Sequence, residues 1–538
     1  MSNVYFKVII EEIPRLLGLL DKNPVSPTFG SFDRNYWHYN ISDFPCARYQ
    51  EATLTLALLY VLNYEKNPYY NSEDILGFIN GGVDFWRKIQ RGNGSFDEWY
   101  PYEGSFVATA FSTYAISEVL LLLKDKIENF EEALRSVKKA VDFLSANVDY
   151  TACNQEAGAI LTIYNYYLLS NEDRYKELAY KRLVSFYKLQ KEEGWFPEYG
   201  GPDVGYLSLT IDYLAKLYEK SNWDIIREMM DKAIGFLYYF SHPDGSFGGE
   251  YGSRNTKYII PSGIEFATSW NKKAGYIAFN LRKALSEKST IGPYNLDDRY
   301  LAYIGYTYLQ ASLYYKEDLE IEGRERYIDK YFNQSGIWVF SNDNFYLVSN
   351  FKKGGVLKAN FKNGYLLKDS GVVVKIRNKV YASSWLNPEE EVISEDRGYK
   401  VFRELKLLTF PKMSIIKNIF LRIFQSLFGR FNFVNKITKK LLRDILISKQ
   451  KSSGVKFFRV IRVFDDKLEI EDVIISSEKI SKVFCGMENP YIFIPSSRYF
   501  EIGDLNRYYH QFEVGSKRVT IRRVFNEKGK EEFSYKLD

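Results

Sequence analysis

The chain is short of the residues that metal and redox chemistry rely on. Its 538 residues include three cysteines, three histidines and five methionines. Cys46, Cys153 and Cys485 are far apart, odd in number and form no Cys-x-x-Cys pair, which argues against a disulfide framework or a zinc cluster. The histidines, His38, His242 and His510, are scattered, so no metal motif is visible and no cofactor is expected. No run approaches the ~20 apolar residues of a membrane-spanning helix. Lys7, Glu11, Glu12 and Arg15 interrupt any secretory-signal core near the start, which sets the expectation of a cytoplasmic protein. An excess of one charge is lacking too. Against 73 Lys and Arg stand 68 Asp and Glu, and a net +5 over this length does not indicate nucleic acid as a partner.

Aromatic residues are plentiful, with 45 Tyr and 39 Phe. Sugar-binding clefts use aromatic faces, although codon bias toward Lys, Ile and Tyr would give the same count. The length exceeds one ordinary core, so two domains are expected.

Up to about residue 320 apolar residues recur at helical steps, as at Leu207, Ile211, Leu214 and Leu217. Eleven segments read as amphipathic helices: Val4–Leu20, Ala47–Asn63, Ser72–Gln90, Phe106–Lys124, Phe130–Ala146, Gly158–Leu169, Tyr175–Leu189, Tyr206–Glu219, Trp223–Tyr239, Ala274–Ser286 and Tyr300–Tyr315. An internal echo links them. Gln90-Arg-Gly-Asn-Gly94-Ser-Phe96 and Gln190-Lys-Glu-Glu-Gly194-Trp-Phe196 share one pattern, and Gly245-Ser-Phe247 repeats its end. Each leads into a Glu and an aromatic: Glu98-Trp99, Glu198-Tyr199, Glu250-Tyr251. Repeated hairpins with one turn grammar imply a ring or solenoid.

Beyond about residue 330 the pattern becomes period-two alternation with hairpins, as in Val455–Phe464 followed by Leu468–Ile475. The expected architecture is α+β: an N-terminal α/α toroid of helical hairpins over 1–325, then an antiparallel β-sandwich over 326–538. Lys352-Lys353-Gly354-Gly355 reads as an exposed turn, and a loop there could face the toroid mouth. One insertion, 412–451, breaks the strand pattern with apolar residues at helical spacing. It carries ten basic residues and one acidic, Asp444, a net +9. Such a basic amphipathic segment predicts contact with an anionic membrane surface, peripheral on its inner face; a helical excursion packed on the sandwich and a protein–protein contact are the other readings.

Polar and aromatic clusters fall between the helices, where loops converge on one mouth of a ring. His38, Arg48, Glu98, Trp99, Asn154, Gln155, Glu198, Tyr199, Tyr206, Glu250, Tyr251 and Arg254 belong to them. The order of these segments resembles the heparinase II/III-like polysaccharide lyases and related alginate lyases. Members carry an Asn-Asn-His stretch opening a toroid helix, then a Gly-aromatic segment with a Glu and a catalytic Tyr. Asn154-Gln155-Glu156 stands in the first place. Gly194-Trp195-Phe196-Pro197-Glu198, leading to Tyr206, stands in the second. The family histidine is replaced by Glu156, and the β-domain lacks the family's His-rich strand motif.

The resemblance implies a carbohydrate-active enzyme that removes the C5 proton of a uronic acid in a glycan, as a lyase or a C5-epimerase. Tyr206 would be the acid/base. Asn154, with Gln155, would neutralise the carboxylate as the enolate forms. Arg254 is a second candidate for that task, since a guanidinium grips a carboxylate through two parallel hydrogen bonds, and its charge would lower the Tyr206 pKa. Gln155, Glu198, Tyr199, Glu250, Tyr251, Glu98, Trp99, His38 and Arg48 are the expected substrate contacts. The substrate is expected to be a uronate-containing oligosaccharide or polysaccharide, free or lipid-linked, met in surface-glycan biosynthesis. Two alternatives stay open. One is a glycoside hydrolase drawing paired carboxylates from Asp97, Glu98, Glu103, Glu198 and Asp203. The other is a non-catalytic glycan-binding or assembly protein.

Overall fold

The computed structural model describes residues 3–38, 42–409, 414–429, 434, 437–438, 452–491, 499 and 509–538. The helices of the first half are α1 (Val4–Ile10), α2 (Ile13–Leu17), α3 (Arg34–Trp37), α4 (Ala52–Val61), α5 (Glu73–Lys88), α6 (Phe106–Leu122), α7 (Phe130–Ser145), α8 (Cys153–Ser170), α9 (Asp173–Tyr187), α10 (Val204–Ser221), α11 (Asp224–Leu237), α12 (Ser262–Ala267), α13 (Lys272–Glu287) and α14 (Asp298–Tyr314). Their sequences sort them into two rings. In α7 only Ala133, Val137, Ala140, Val141 and Leu144 are buried, one stripe at helical spacing, and such a helix lies outside. In α6 nearly every residue from Phe106 to Leu120 is buried, so the helix must be surrounded.

The surrounded helices α4, α6, α8, α10, α12 and α14 pack each on the next, and α14 closes on α4. The outer helices α5, α7, α9, α11, α13 and α1 back them. The toroid is therefore a full ring of six hairpins. Two sequence expectations need correction. The Val4–Leu20 helix breaks into α1 and α2, with Pro14 in the first turn of α2. The inner helix α12 was not foreseen, because its six residues are too few for a period to show.

The echoed turns are structural. Gln90 donates to the carbonyls of Gly94 and Ser136 at 3.1 and 2.8 Å, and Gln190 makes the matching bonds to Gly194 and Met229 at 2.8 Å each. Each glutamine thus ties its turn to the next outer helix. Gly94 and Gly194 both have positive φ, and a Cβ there would lie 2.1 Å from the Lys139 and Lys232 carbonyl oxygens, so only glycine fits.

The second half holds two antiparallel sheets. The first contains β1 (Ile328–Phe332), β2 (Ile337–Ser341), β3 (Phe345–Asn350), β4 (Val356–Phe361) and β5 (Leu366–Asp369), in that order. The second contains β6 (Val372–Ile376), β7 (Lys379–Ala382), β8 (Val392–Glu395), β9 (Gly398–Leu407), β10 (Ser452–Val463), β11 (Lys467–Ile475), β12 (Lys482–Cys485), β13 (His510–Glu513), β14 (Arg518–Asn526) and β15 (Glu531–Leu537). Alternate side chains of the first sheet face different partners. Trp338, Phe345 and Leu347 pack with Val401, Ile461 and Leu468 of the second sheet. Ile337, Val339, Tyr346 and Val348 join the toroid core. The molecule is thus three layers: toroid, middle sheet, outer sheet. Because both faces of the middle sheet are covered, every residue of β3 and β4 is buried and their period of two is masked.

Between the sheets lies a buried ionic quartet. Arg459 donates to Asp472 at 2.6 and 2.7 Å and to Asp369 at 2.7 Å; Arg523 also bonds to Asp369, and approaches Asp472 at 3.4 Å. The two arginines hold the Asp369 carboxyl down at about 2 despite its burial. A helix, α15 (Ile415–Phe428), with Ser414 as its N-cap, occupies part of the insertion; most of the rest of 412–451 lies outside the described residues. Among the described residues no helix is long and apolar enough to cross a membrane.

Replacing Arg459 with Met would leave two buried carboxylates sharing one arginine. Loss of one partner of such a network costs about 3–5 kcal/mol. The Arg459→Met variant should unfold at correspondingly lower guanidinium concentration, and an unchanged midpoint would show that the quartet is energetically neutral.

Candidate active site

Each inner helix follows an outer helix running the other way, so all six inner N-termini open on one mouth. Side chains take up backbone N–H groups at these entries, Ser105 at α6, Glu198 at α8, Asp203 at α10 and Asp297 at α14. The loops entering these helices carry the polar clusters.

The entry to α8 is fixed by a carboxylate from the next hairpin. Asn154 donates its backbone N–H to Glu198 Oε1 and its side-chain amide to Oε2, each at 2.8 Å. Glu198 is fully enclosed, and burial outweighs the two donors, pushing its carboxyl up to about 8. Gln155 follows, half-buried, with its Oε1 enclosed and accepting no hydrogen bond from the described residues. Glu156 faces away from the mouth: Arg182 of α9 grips both its oxygens at 2.7 and 2.5 Å. Glu156 is therefore a strut between an inner and an outer helix.

The entry to α10 is capped by Asp203, which accepts from the N–H of Tyr206 at 3.3 Å. Its other oxygen takes the Arg254 N–H at 3.0 Å, and Thr256 also bonds to it. One carboxylate thus joins the Tyr206 helix to the Arg254 loop. The Arg254 guanidinium lies 4.1 Å over the Tyr199 ring. Tyr199 itself adopts a left-handed backbone (φ +54°), as does Asn255 (φ +62°), a strained geometry for non-glycine residues held by the surrounding bonds. Burial raises the Tyr206 phenol well above its ordinary value; the Tyr300 hydroxyl adds to the effect and Arg254 only partly opposes it. The expectation that Arg254 lowers this pKa is corrected: its charge acts in that direction, but burial wins and the resting group is a neutral phenol.

A second cluster adjoins the first through Tyr300, whose ring lies 5.6 Å from that of Tyr303. Arg48 donates to both oxygens of Glu51, at 2.7 and 3.3 Å, and stacks 3.9 Å over Tyr303. Arg299 donates to Glu98 at 3.3 Å and to the Tyr303 hydroxyl, and covers Trp99 at 4.1 Å. Trp99 is 55% exposed, an open aromatic face at the rim. Burial lifts Glu51 to about 7, with Arg48 opposing.

Other foreseen residues lie elsewhere. Tyr251 is buried, its hydroxyl 2.8 Å from His242 and its ring stacked on Phe240. Glu250 turns to the β-domain, accepting from Ser370 and from the Asn489 N–H at 2.8 Å. His38 is exposed at the end of α3, against Trp37. The reading of 352–355 as an exposed turn is corrected as well. Lys353 is fully buried, and its ammonium donates to the carbonyls of Glu250 and Gly252 at 2.6 Å each and to the Asn255 side chain. The β-domain thereby holds the loop that carries Arg254. Arg299 and Tyr303 were missed; their signal was only an Arg and a Tyr one turn apart at the start of an inner helix.

No family model matches the chain, and no curated protein matches it. Among solved structures it is similar to the chondroitin AC lyase of Streptomyces coelicolor A3, solved with chondroitin sulphate. That likeness has a TM-score of 0.55 and 12% identity, over 89% of this chain and 67% of that one. A Paenibacillus xanthan lyase is similar over 90% of this chain and 46% of its own, at 11% identity and a TM-score of 0.49. Heparinase III spans 100% of this chain and 98% of its own, at 9% identity and a TM-score of 0.47.

Two outcomes are expected from this geometry. A carboxyl raised by folding stabilises the protein below its unfolded value and loses that contribution as pH rises through the folded one. Glu198 and Glu51 should therefore make the melting temperature fall between about pH 5 and pH 8, and Glu198→Gln should flatten that slope. The Lys353→Met variant, which leaves three oxygens without their donor, should cost about 1–3 kcal/mol in thermal unfolding; an unaltered melting point would mean that the loop stands without it. The chain has the fold of the chondroitin AC lyase, an α/α toroid joined to a β-sandwich.

Proposed function

We propose that the protein is a lyase-type enzyme acting on uronate-containing polysaccharide by removing the C5 proton. The observation that carries this reading is the meeting of Tyr206, Arg254 and the Asn154–Glu198 pair on adjoining loops of one mouth. Elimination needs a group that stabilises the enolate carboxylate and one that moves a proton. Arg254 supplies a guanidinium for the carboxylate. Asn154 has a second amide hydrogen beyond the one given to Glu198. Glu198, protonated at neutral pH, can stand beside a substrate carboxylate without repelling it.

Tyr206 moves the proton. As a neutral phenol it can protonate the departing O4 oxygen. To act first as the base it must lose its proton, and Arg254 is the cation that favours the phenolate. One group acting twice is enough for elimination, whereas epimerisation requires a second group on the opposite face of the sugar. The hydrolase reading is weakened by the duties of its carboxylates. Asp97 accepts from the N–H groups of Tyr102 and Gly104, Glu103 from those of Glu98 and Trp99, and Asp203 caps α10. Trp99 at the rim offers an exposed aromatic face to a sugar ring.

Uronate polysaccharides incubated in heavy water should yield unsaturated ends, detected by mass spectrometry and ultraviolet absorbance. Because the phenol is raised, kcat/KM should climb toward alkaline pH. Tyr206→Phe should lose about 10²–10⁴-fold in rate while keeping its affinity. If no polysaccharide gains deuterium at C5 or an unsaturated end, proton abstraction is wrong; binding without turnover would then identify a glycan-binding protein.

A further inference from the structure

We propose that α15 is a docking helix that seats the protein on an anionic lipid bilayer. An ordinary surface helix turns its apolar stripe inward. This one is reversed. Ile415 and Ile416 are each 80% exposed, Phe420 70% and Leu427 61%, and Ile419 and Ile423 are more than half exposed. At these spacings they share one side of the helix. The polar side faces the body: Gln425 is buried, Arg422 pairs with Asp43 at 3.0 Å and stacks on Phe44, and Gly429 abuts Tyr102. The helix is clamped by its polar residues with a row of Ile, Phe and Leu presented outward.

Charge selects what covers that row. Residues 415–428 hold Lys417 and Arg422 and no acidic residue, and 412–451 as a whole carries +9. A second copy would set Lys417 against Lys417 on a helix with no acidic residue of its own, which disfavours self-association through this face. Apolar side chains that enter the acyl boundary, with basic residues at the headgroups, match an interfacial helix on anionic lipid. The anchor points Asp43 and Tyr102 lie beside the loops of Arg48 and Trp99, so docking turns the rim of the toroid mouth toward the membrane. This surface is independent of the proposed reaction.

The full chain should co-float with phosphatidylcholine vesicles containing phosphatidylglycerol at least about tenfold more than with pure phosphatidylcholine, and release as salt is raised. Replacing Ile416, Phe420 and Ile423 together by Glu should reduce that binding at least about tenfold with the melting temperature unchanged, since all three side chains are exposed. The three native cysteines are buried, so Ile419→Cys accepts a single environment-sensitive fluorophore, whose emission should shift to the blue on anionic vesicles. Absence of vesicle binding, equal binding by the triple variant, or a fluorophore unmoved while the protein floats would each overturn the proposal. So would a wild-type dimer that the triple variant abolishes, which would assign the face to a second copy.

Discussion

The Lys353 ammonium is the contact on which the candidate site depends. A cation with no solvent exposure persists only where oxygen atoms replace its water. Here two backbone carbonyls and one amide oxygen do so, and all three belong to the loop of Glu250 to Asn255. The lysine itself is held by a turn whose Gly355 carbonyl accepts from Arg459 at 3.1 Å. The ionic quartet of the sandwich thus reaches, through the three residues Lys353 to Gly355, the loop that presents Arg254. The toroid supplies the other half of the arrangement through Asp203, which binds Arg254 and Thr256 backbone groups while capping the Tyr206 helix. Arg254 is placed by both domains together.

Burial sets the protonation of the site more than its charges do. Glu198 receives two hydrogen bonds and Glu51 a bidentate arginine, yet both carboxyls are raised; Tyr206 has a guanidinium nearby and still remains a phenol. The resting mouth therefore holds fewer negative charges than its residue types suggest. That lowers the repulsion an anionic sugar would meet, and it makes the proton inventory of the site sensitive to whatever enters and displaces water.

Much of the fold could be read from residue spacing, because an outer helix such as α7 displays its buried stripe openly. What escaped had a physical cause. The six residues of α12 are too few for a period, and β3 and β4 are buried on both faces, so alternation says nothing about them. In the site, Glu198 followed one of the echoed turns, and Asn154 stood where the family resemblance placed its Asn-rich stretch. Arg299 and Tyr303 come from the last inner helix and meet Glu98 only because the ring closes, which no local pattern reports. Glu156 was visible as a substitution, but its partner Arg182 depends on the register between two helices. Lys353 was misjudged because Lys-Lys-Gly-Gly has the composition of a solvent turn, and only the docked domain shows what fills it.

The middle sheet has a consequence for how the chain is made. Its toroid-facing residues, Ile337, Val339, Tyr346 and Val348, come after the whole ring in the sequence. A ring that has left the ribosome keeps an uncovered apolar side until those strands emerge, and the strands in turn lack a lid until β9 to β11 follow. Birth of the molecule is therefore staged outward from the toroid, with one sticky surface open at each stage. A stall or cleavage between the halves would yield two aggregation-prone fragments rather than two usable domains.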